Sequence, residues 1–402
     1  MWKNLGFREN PYDTKPLKAL KSDVDLLMGR DSEQVKFLTA METDKQGVYI
    51  ISGVPGVGKT SFFNIQQYLL ESGEAAFGPK ILAARTLCPI QPSDEPKNIA
   101  LRCIQTFCKS IEEFCYINKM AVPNQCEKIL SWLHQNKPTT FNIGISVLGS
   151  GVNIGREIHL PSINETTYET LVEIITNLAI AVNDQLGIES SFIAIDNIEN
   201  LYEDDLRDAL TTFRDTLFTI PNIWWILIGQ SGLSSLIQST NPKVFQRLSG
   251  GIELKPITVK DLINAVKIRV KRFHSTAGKA SSPITEEIYL KLFESSNGEI
   301  RFVFKYCQHI CMNLVTHARN LFVEQKKVFT EAAFEKFMGR FLVNNQINNE
   351  YSNDCLKAII EEEVNGLYLT PQEKQVLKKI GHLKKVKPNN FIEFKDFGIK
   401  TI

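Results

Sequence analysis

The chain has 402 residues, 43% of them apolar and 23% charged, which is ordinary for a globular protein and excludes collagen-like, low-complexity and disordered classes. A formal net charge of +1 excludes a protein coated in basic charge, although a local basic patch is compatible with it. No apolar run approaches the roughly 18 residues of a membrane helix, and eight cysteines are too few for a disulfide scaffold. We therefore expect a soluble, cytoplasmic protein of two or three domains, with reduced thiols and no membrane partner.

Strands alternate with helices from the start of the chain to Lys255. A helix is predicted over 32–41, followed by an apolar strand over 48–52 that runs into a glycine-rich turn. The further strands predicted are 80–87, 192–195, 224–228 and 251–255, and the helices between them are 60–71, 99–132, 167–186 and 206–217. This alternation favours an α/β sandwich with a mostly parallel sheet.

Two regions depart from the alternation. Apolar residues alternate on both sides of a glycine turn at 149–151, which predicts a hairpin inserted over about 138–160. That hairpin is either packed on the domain or a contact loop for DNA or a neighbouring subunit. After Lys255 the pattern is helical, over 259–272, 285–294, 300–323 and 330–342. We divide the chain into an α/β domain (1–255), a helical domain (256–345) and a C-terminal segment (346–402).

The strongest motif is G-V-P-G-V-G-K-T, which starts at Gly53, directly after a predicted strand and before a predicted helix. This is the pattern and the context of a phosphate-binding loop. Glycines let backbone N–H groups approach phosphate oxygens, and the helix N-terminus adds a positive dipole. Lys59 would contact the β- and γ-phosphates, and the Thr60 hydroxyl can bind Mg²⁺. We expect the nucleotide contacts of the loop to come from Gly53, Pro55, Gly56, Val57, Gly58, Lys59, Thr60 and Ser61.

Asp196 supplies the second acidic group that such a loop needs. It ends a buried strand, and ligands of open α/β sheets bind at the carboxyl ends of the strands. We expect Asp196 and Thr60 to hold Mg²⁺ directly or through water. The next residue, Asn197, can orient water but cannot take its proton, so Glu199 is the alternative base. Hydrolysis is therefore predicted to be slow or partner-stimulated.

Together these residues resemble the AAA+ ATPases, and among them the initiator-type ATPases of origin recognition and their bacterial relatives. The resemblance rests on Asn10-Pro11-Tyr12, Gly29-Arg30, the phosphate loop and the Asp196 strand, and it covers about 5–345. It implies a P-loop NTPase fold, ATP as the nucleotide, and Asn10 and Arg30 as further nucleotide-binding residues. The chain departs from the family in having Asn197 where a Glu is usual, and in the length of the region over about 89–161.

The resemblance also implies three sensing residues. Gln230, after a predicted strand, corresponds to the polar residue that reads the γ-phosphate. Arg247 corresponds to the arginine finger that acts on a neighbouring subunit. Arg301, in G-E-I-R, corresponds to an arginine that reaches the γ-phosphate from a helical lid, and the helical domain is that lid.

The C-terminal segment is basic. From residue 369 onward it contains eight lysines against three acidic residues, a net charge of +5. It resembles the start of a winged helix, which would bind DNA mainly through phosphates. The other interpretation is a solvated basic tail that packs on the lid.

The leading hypothesis is an ATP-dependent switch that forms a homo-oligomer through the bound nucleotide and acts on DNA or a DNA-associated partner. The alternative is a signalling ATPase of a bacterial defence system, in which assembly with ATP activates a protein effector. A scaffold with degenerate nucleotide binding is a third hypothesis, which Asn197 favours. Salt-sensitive duplex binding would distinguish the first from the second.

Overall fold

The structure, a computed structural model, describes residues 1–92, 94–135, 162–163, 165–275, 282–324 and 330–345. The predicted hairpin insertion (138–160) and the basic C-terminal segment (346–402) lie outside the described residues.

A parallel sheet forms the centre of the α/β domain. The six strands of the described residues are β1 (Gly47–Gly53), β2 (Ile81–Leu82), β3 (Cys88–Pro89), β4 (Ser190–Asp196), β5 (Ile223–Gly229) and β6 (Leu248–Leu254). They are ordered β2-β4-β5-β1-β6, with β3 also paired to β4, and every pair is parallel. Strand β5 therefore lies between β1, which leads into the phosphate loop, and β4, which ends at Asp196.

Helices cover both faces of the sheet. Successive strand residues point to opposite faces, so Val48 and Ile50 enter one apolar cluster, while Tyr49 and Ile51 enter another. The helices of this domain are α1 (Lys21–Val24), α2 (Asp31–Thr43), α3 (Lys59–Ser72), α4 (Pro96–Asn118), α5 (Asn124–Gln135), α6 (Tyr168–Leu186), α7 (Glu203–Asp215), α8 (Leu233–Thr240) and α9 (Pro242–Phe245). Helices α2 and α3 share one cluster, and α4 to α7 share the other. The predicted α/β sandwich of the P-loop NTPase type is thus confirmed.

Of the strand predicted over 80–87, only β2 (Ile81–Leu82) forms, and β3 (Cys88–Pro89) follows just after the predicted range. Between them the backbone amides turn to side chains of the neighbouring helices. Ala83 N–H donates to Glu71 Oε2 at 2.7 Å, Ala84 N–H to Gln67 Oε1 at 2.9 Å, and Arg85 N–H to Ser110 Oγ at 2.9 Å. Because these side chains take the amides, the chain leaves the sheet between its two short contacts with β4.

The helix predicted over 99–132 is two helices, α4 and α5. Lys119 caps α4 in the left-handed conformation, with a φ of 54°. Pro123 follows four residues later, and a proline disfavours helical geometry in the residue before it. The apolar periodicity over 99–132 correctly predicts helical structure, but it does not show that this structure is divided into two helices.

The helical lid consists of α10 (Val259–Phe273), α11 (Glu286–Ser295), α12 (Ile300–Glu324) and α13 (Glu331–Asn345). Its apolar core also contains Leu5, Phe7 and Tyr12. The Tyr12 hydroxyl lies 2.6 Å from that of Tyr289, and the Tyr12 carbonyl accepts a bond from Gln308 Nε2 at 2.6 Å. The first 12 residues, which the sequence analysis places in the α/β domain, therefore pack as part of the lid.

Within the described parts of the chain, every helix is too short or too polar to cross a membrane.

Candidate nucleotide-binding site

The phosphate loop connects β1 to α3. Gly56 and Gly58 have φ angles of 79° and 101°, which residues with a side chain rarely adopt. Helix α3 begins at Lys59, so its first N–H groups face the loop as the sequence predicts. Backbone conformation thus accounts for the glycines of the motif.

Lys59 interacts electrostatically with three other charged groups of the site, Asp196, Glu199 and Arg301. Its Nζ donates to the carbonyl oxygens of Gly53 at 2.8 Å and Val54 at 3.3 Å. Burial lowers the pKa of Lys59, the carboxylates of Glu199 and Asp196 oppose that shift, and the guanidinium of Arg301 adds to it. The P-loop lysine, both acidic residues and the lid arginine therefore act on one another within one site.

Asp196 is half-buried where β4 ends. Its Oδ1 accepts the Asn197 N–H at 2.9 Å. Burial raises the pKa of Asp196 and the nearby Glu199 raises it further, while the Asn197 amide and Lys59 oppose the shift. Asn197 itself is exposed and lies in the left-handed region, with a φ of 59°.

Glu199 lies next to the end of β5. Its Oε2 is buried, and no group in the described segments forms a hydrogen bond with it. A Cβ added at Gly229 would come within 2.9 Å of this oxygen, so Gly229 provides the room for the carboxylate. Asn200 Nδ2 donates to the Ile90 carbonyl at 2.9 Å and fixes the short turn that carries Glu199. The site thus holds one acceptor that protein groups leave unsatisfied.

Gln230 and Arg247 lie at opposite ends of the sheet. Gln230 is exposed and follows Gly229, which pairs with Ser52 just before the phosphate loop. Arg247 is exposed and precedes β6, whose first residue pairs with Val48. At roughly 3.3 Å per residue, the length of β6 puts Arg247 about 20 Å from the loop end of β1. Arg247 is therefore outside its own nucleotide site.

Arg30 is a buried support of the loop. Its guanidinium donates to the carbonyls of Val57 at 2.9 Å and Lys255 at 2.8 Å, and to Glu33 Oε1 at 3.1 Å. Burial lowers the pKa of Arg30, and Glu33 opposes this. These contacts join the loop to the strand end of β6 and to α2.

The N-terminal segment is fixed by two of the predicted binding residues. Asn10 Oδ1 accepts the Tyr12 N–H at 2.9 Å, and Ser61 Oγ accepts the Leu17 N–H at 3.0 Å. Ser61 borders the pocket described next, whereas Asn10 is not among its lining residues. Direct nucleotide contact by Asn10 stays a prediction.

A pocket lies between the phosphate loop, the segment after Tyr12 and the lid. It is lined by Asp13, Thr14, Lys15, Pro16, Leu17, Leu26, Leu27, Met28, Arg30, Gly56, Val57, Gly58, Ser61, Ile257, Ala265, Arg269, Ile300, Arg301 and Phe304. The structure thereby brings the predicted Arg301 and Arg30 to the same pocket as the loop glycines.

Sequence reasoning missed two residues of this region. Arg269 lines the pocket from α10, and Glu299 of the lid lies against Gly56. An arginine flanked by the buried Val266 and Val270 on an amphipathic helix was the available signal for the first. Nothing in the pattern around Glu299 marks its contact with the loop.

Comparison with known proteins finds solved structures with low similarity to this chain and no matching sequence. No protein-family model and no curated protein matches the chain. The ADP form of the ORC2 protein from Aeropyrum pernix matches with a TM-score of 0.42 and 11% identity, over 96% of this chain and 87% of that one. The ORC1 protein of the same organism, solved in complex with DNA, matches with a TM-score of 0.40 and 13% identity, over 97% and 85%.

Cdc6p from Pyrobaculum aerophilum matches with a TM-score of 0.37 and 12% identity, over 93% of this chain and 98% of that one.

Proposed function

We propose that the protein is an ATP-binding molecular switch that assembles with ATP and acts on DNA or a DNA-associated partner. The observation that carries this proposal is the pocket in which Arg301 of the lid meets Gly56 and Gly58 of the glycine-rich loop. A triphosphate on that loop contacts backbone amides, one lysine and an arginine of the lid at the same time. Its γ-phosphate then links the two domains, which a diphosphate cannot do.

The acidic residues fit a magnesium ion of the kind that accompanies nucleotides. The described residues contain no cluster of three or more His, Cys, Asp or Glu side chains that would hold a metal alone. Mg²⁺ commonly binds through one or two carboxylates together with substrate phosphates. Asp196 and Thr60 would hold it, and the ion would neutralise charge on the phosphate oxygens.

Hydrolysis would depend on Glu199 rather than on Asn197. The unsatisfied Oε2 of Glu199 accepts a proton from water, whereas the amide of Asn197 has no basic site. As water attacks the γ-phosphorus, its proton passes to Glu199 and the bond to the β-phosphate oxygen breaks. The buried position of this oxygen restricts access to the base and is consistent with slow or partner-stimulated turnover.

Arg247 supports assembly between copies. An exposed arginine about 20 Å from its own loop end can reach a γ-phosphate only in another subunit. ATP bound at a subunit interface would in this way stabilise a homo-oligomer. Guanidinium groups suit this role because they are always charged and bind phosphate through two parallel donors.

The proposal is tested with Lys59→Ala, with Lys36→Ala as the matched control because Lys36 is exposed on α2. We expect calorimetry to show ATP binding for the wild type and the control and none for Lys59→Ala. Equal ATP affinity in all three proteins would overturn the proposal.

Sizing of the wild type with ATP, with ADP and without nucleotide tests the switch, each with and without duplex DNA. We expect larger assemblies with ATP and salt-sensitive DNA binding. ATP-driven assembly that ignores DNA and captures a protein effector would favour the signalling ATPase of a defence system.

A further inference from the structure

Two arginines line the pocket, and they occupy different parts of it. Arg301 is the one that acts on Lys59. Arg269 instead donates from Nη1 to the Asp13 carbonyl at 3.3 Å, and its guanidinium lies 4.7 Å from the ring centre of Phe304. Arg269 therefore belongs to the wall formed by α10, α12 and the segment after Tyr12, and not to the phosphate end.

Arg269 is a buried cation whose hydrogen bonding is incomplete. Arg269 is 8% exposed, and its Nε is buried without a hydrogen-bond partner among the residues that the structure describes. No carboxylate forms an ion pair with it in the described part of the chain. Burial lowers the pKa of Arg269 to about 10, with Asp13 and Asp23 opposing that shift. A buried, unsatisfied N–H on a charged group is costly, so a ligand acceptor is the natural partner for it.

The surroundings of Arg269 fit a flat heterocycle. Ala265 precedes it by one turn on the same helix face, and both residues line the pocket. The pocket is also lined by polar residues after Tyr12, namely Asp13, Thr14 and Lys15, and by several large apolar side chains: Leu17, Leu26, Leu27, Ile257 and Phe304. Ligand pockets typically combine such apolar walls with a few polar groups that fix orientation.

We propose that Arg269 reads the base of the nucleotide, by donating from its guanidinium to a ring-nitrogen acceptor of the purine. The proposal rests on the proposed function, because it requires a nucleotide whose phosphates lie on the loop. Arg269 would then be a specificity-determining residue, separate from the residues that bind phosphate. It would also connect the identity of the base to the position of the lid, since α10 belongs to the lid.

The test compares ATP with its 1-deaza, 3-deaza and 7-deaza analogues, each of which replaces one ring nitrogen by C–H. Calorimetry on the wild-type protein should show one analogue binding at least about tenfold more weakly than ATP, as expected for loss of a bond from a charged donor. Arg269→Met should weaken ATP to the affinity of that analogue and remove the difference between them. Arg272→Met, in the next turn of α10, should keep the difference.

The wild-type series needs no variant, so it tests the proposal even if Arg269→Met folds poorly. Arg269→Lys keeps the charge and should also remove the difference. Three results would each overturn the assignment to the base. In the first, ATP and all three deaza analogues bind the wild type equally; in the second, the difference between ATP and one analogue survives in the Arg269 variants. In the third, only 2′-deoxy-ATP binds more weakly than ATP. If the wild type binds ATP and Lys59→Ala does not, such a result overturns only the role of Arg269; if the wild type binds no ATP, both proposals fall.

Discussion

Glu299 of the lid lies against Gly56 of the phosphate loop, where a side chain at residue 56 would otherwise stand. Gly56 also has a φ of 79°, so its backbone conformation favours a glycine, and a side chain there would displace that of Glu299. The contact fixes the distance between the lid and the loop at the point where phosphates are expected. Arg301 follows Glu299 by two residues, so the contact also positions this arginine of the lid.

We predict that Gly56→Ala displaces Glu299 and moves the lid away from the loop. ATP affinity should fall at least about tenfold, and stability should fall by about 1–3 kcal/mol, because an unfavourable φ adds to the displacement. Calorimetry with ATP and thermal unfolding of the same samples measure both effects.

Gly73→Ala is the matched control. Gly73 has a similar φ of 73°, and nothing lies within 4 Å of an added Cβ. The Gly73→Ala variant should therefore be less stable than the wild type but should keep its affinity for ATP. Adding Glu299→Ala to Gly56→Ala should restore part of the affinity. Equal affinities for the two alanine variants would show that the contact with Glu299 is not important for binding.

We predict that Arg247→Ala binds ATP normally and loses at least about tenfold in turnover, because its guanidinium acts on a neighbouring copy. Mixing Arg247→Ala with Lys59→Ala should recover activity, since one variant keeps the loop and the other keeps the arginine. Lys243→Ala, on the adjacent α9, should behave as wild type. Normal turnover of Arg247→Ala alone, or no recovery in the mixture, would remove Arg247 from this role.

We predict that Asp196→Asn abolishes hydrolysis and raises the melting temperature at pH 7 by roughly 2 °C. The pKa of Asp196 is raised in the folded protein, so folding favours its protonated form and stability is lost as pH rises through that pKa. The asparagine stays neutral and avoids this loss. Below the ordinary pKa of an aspartate the two proteins should melt alike.

Thermal unfolding at about pH 3 and pH 7 checks this prediction. Glu42→Gln, which removes an exposed carboxylate on α2, serves as the control and should show no such pH-dependent gain. If Asp196→Asn were less stable than the wild type at pH 7, burial of the charged Asp196 carboxylate would not be a cost to stability.

We predict that Arg85→Met destabilises the protein by about 3 kcal/mol at pH 7, because Glu71 is then a buried carboxylate without its partner. Burial already raises the pKa of Glu71, and Arg85 is the first group to oppose this. Without Arg85 the pKa of Glu71 rises further, so the loss of stability should become smaller toward pH 4, where Glu71 is protonated. Denaturant unfolding at both pH values measures it, and adding Glu71→Gln should recover much of the loss. A deficit that is equal at both pH values would point to packing instead.

The sequence predicts the parts of the site that depend on local pattern. The glycines between Gly53 and Gly58 specify backbone conformation, and the apolar run before Asp196 specifies a buried strand. Both are properties of consecutive residues, and both are found as predicted. The assignments of Gln230, Arg247 and Glu199 to catalysis stay predictions.

The remaining features depend on partners distant in the chain. Glu71 and Ser110 take the amides that would have continued the strand between β2 and β3. Tyr12 enters the lid core because it meets Tyr289, 277 residues away. Arg269 and Gly56 likewise have their neighbours only because the lid packs against the loop. A single sequence carries no period or spacing from which these contacts follow.

Because residues 1–12 are packed inside the lid, the polypeptide crosses between the two domains twice, after Tyr12 and again before Ile257. A body attached at one point can twist in any direction, but one attached at two points rotates about the line that joins them. We therefore expect any rigid-body movement of the lid to be a rotation about the line that joins its two connections. Such a rotation would move Arg301 and Arg269 together, because both residues belong to the lid.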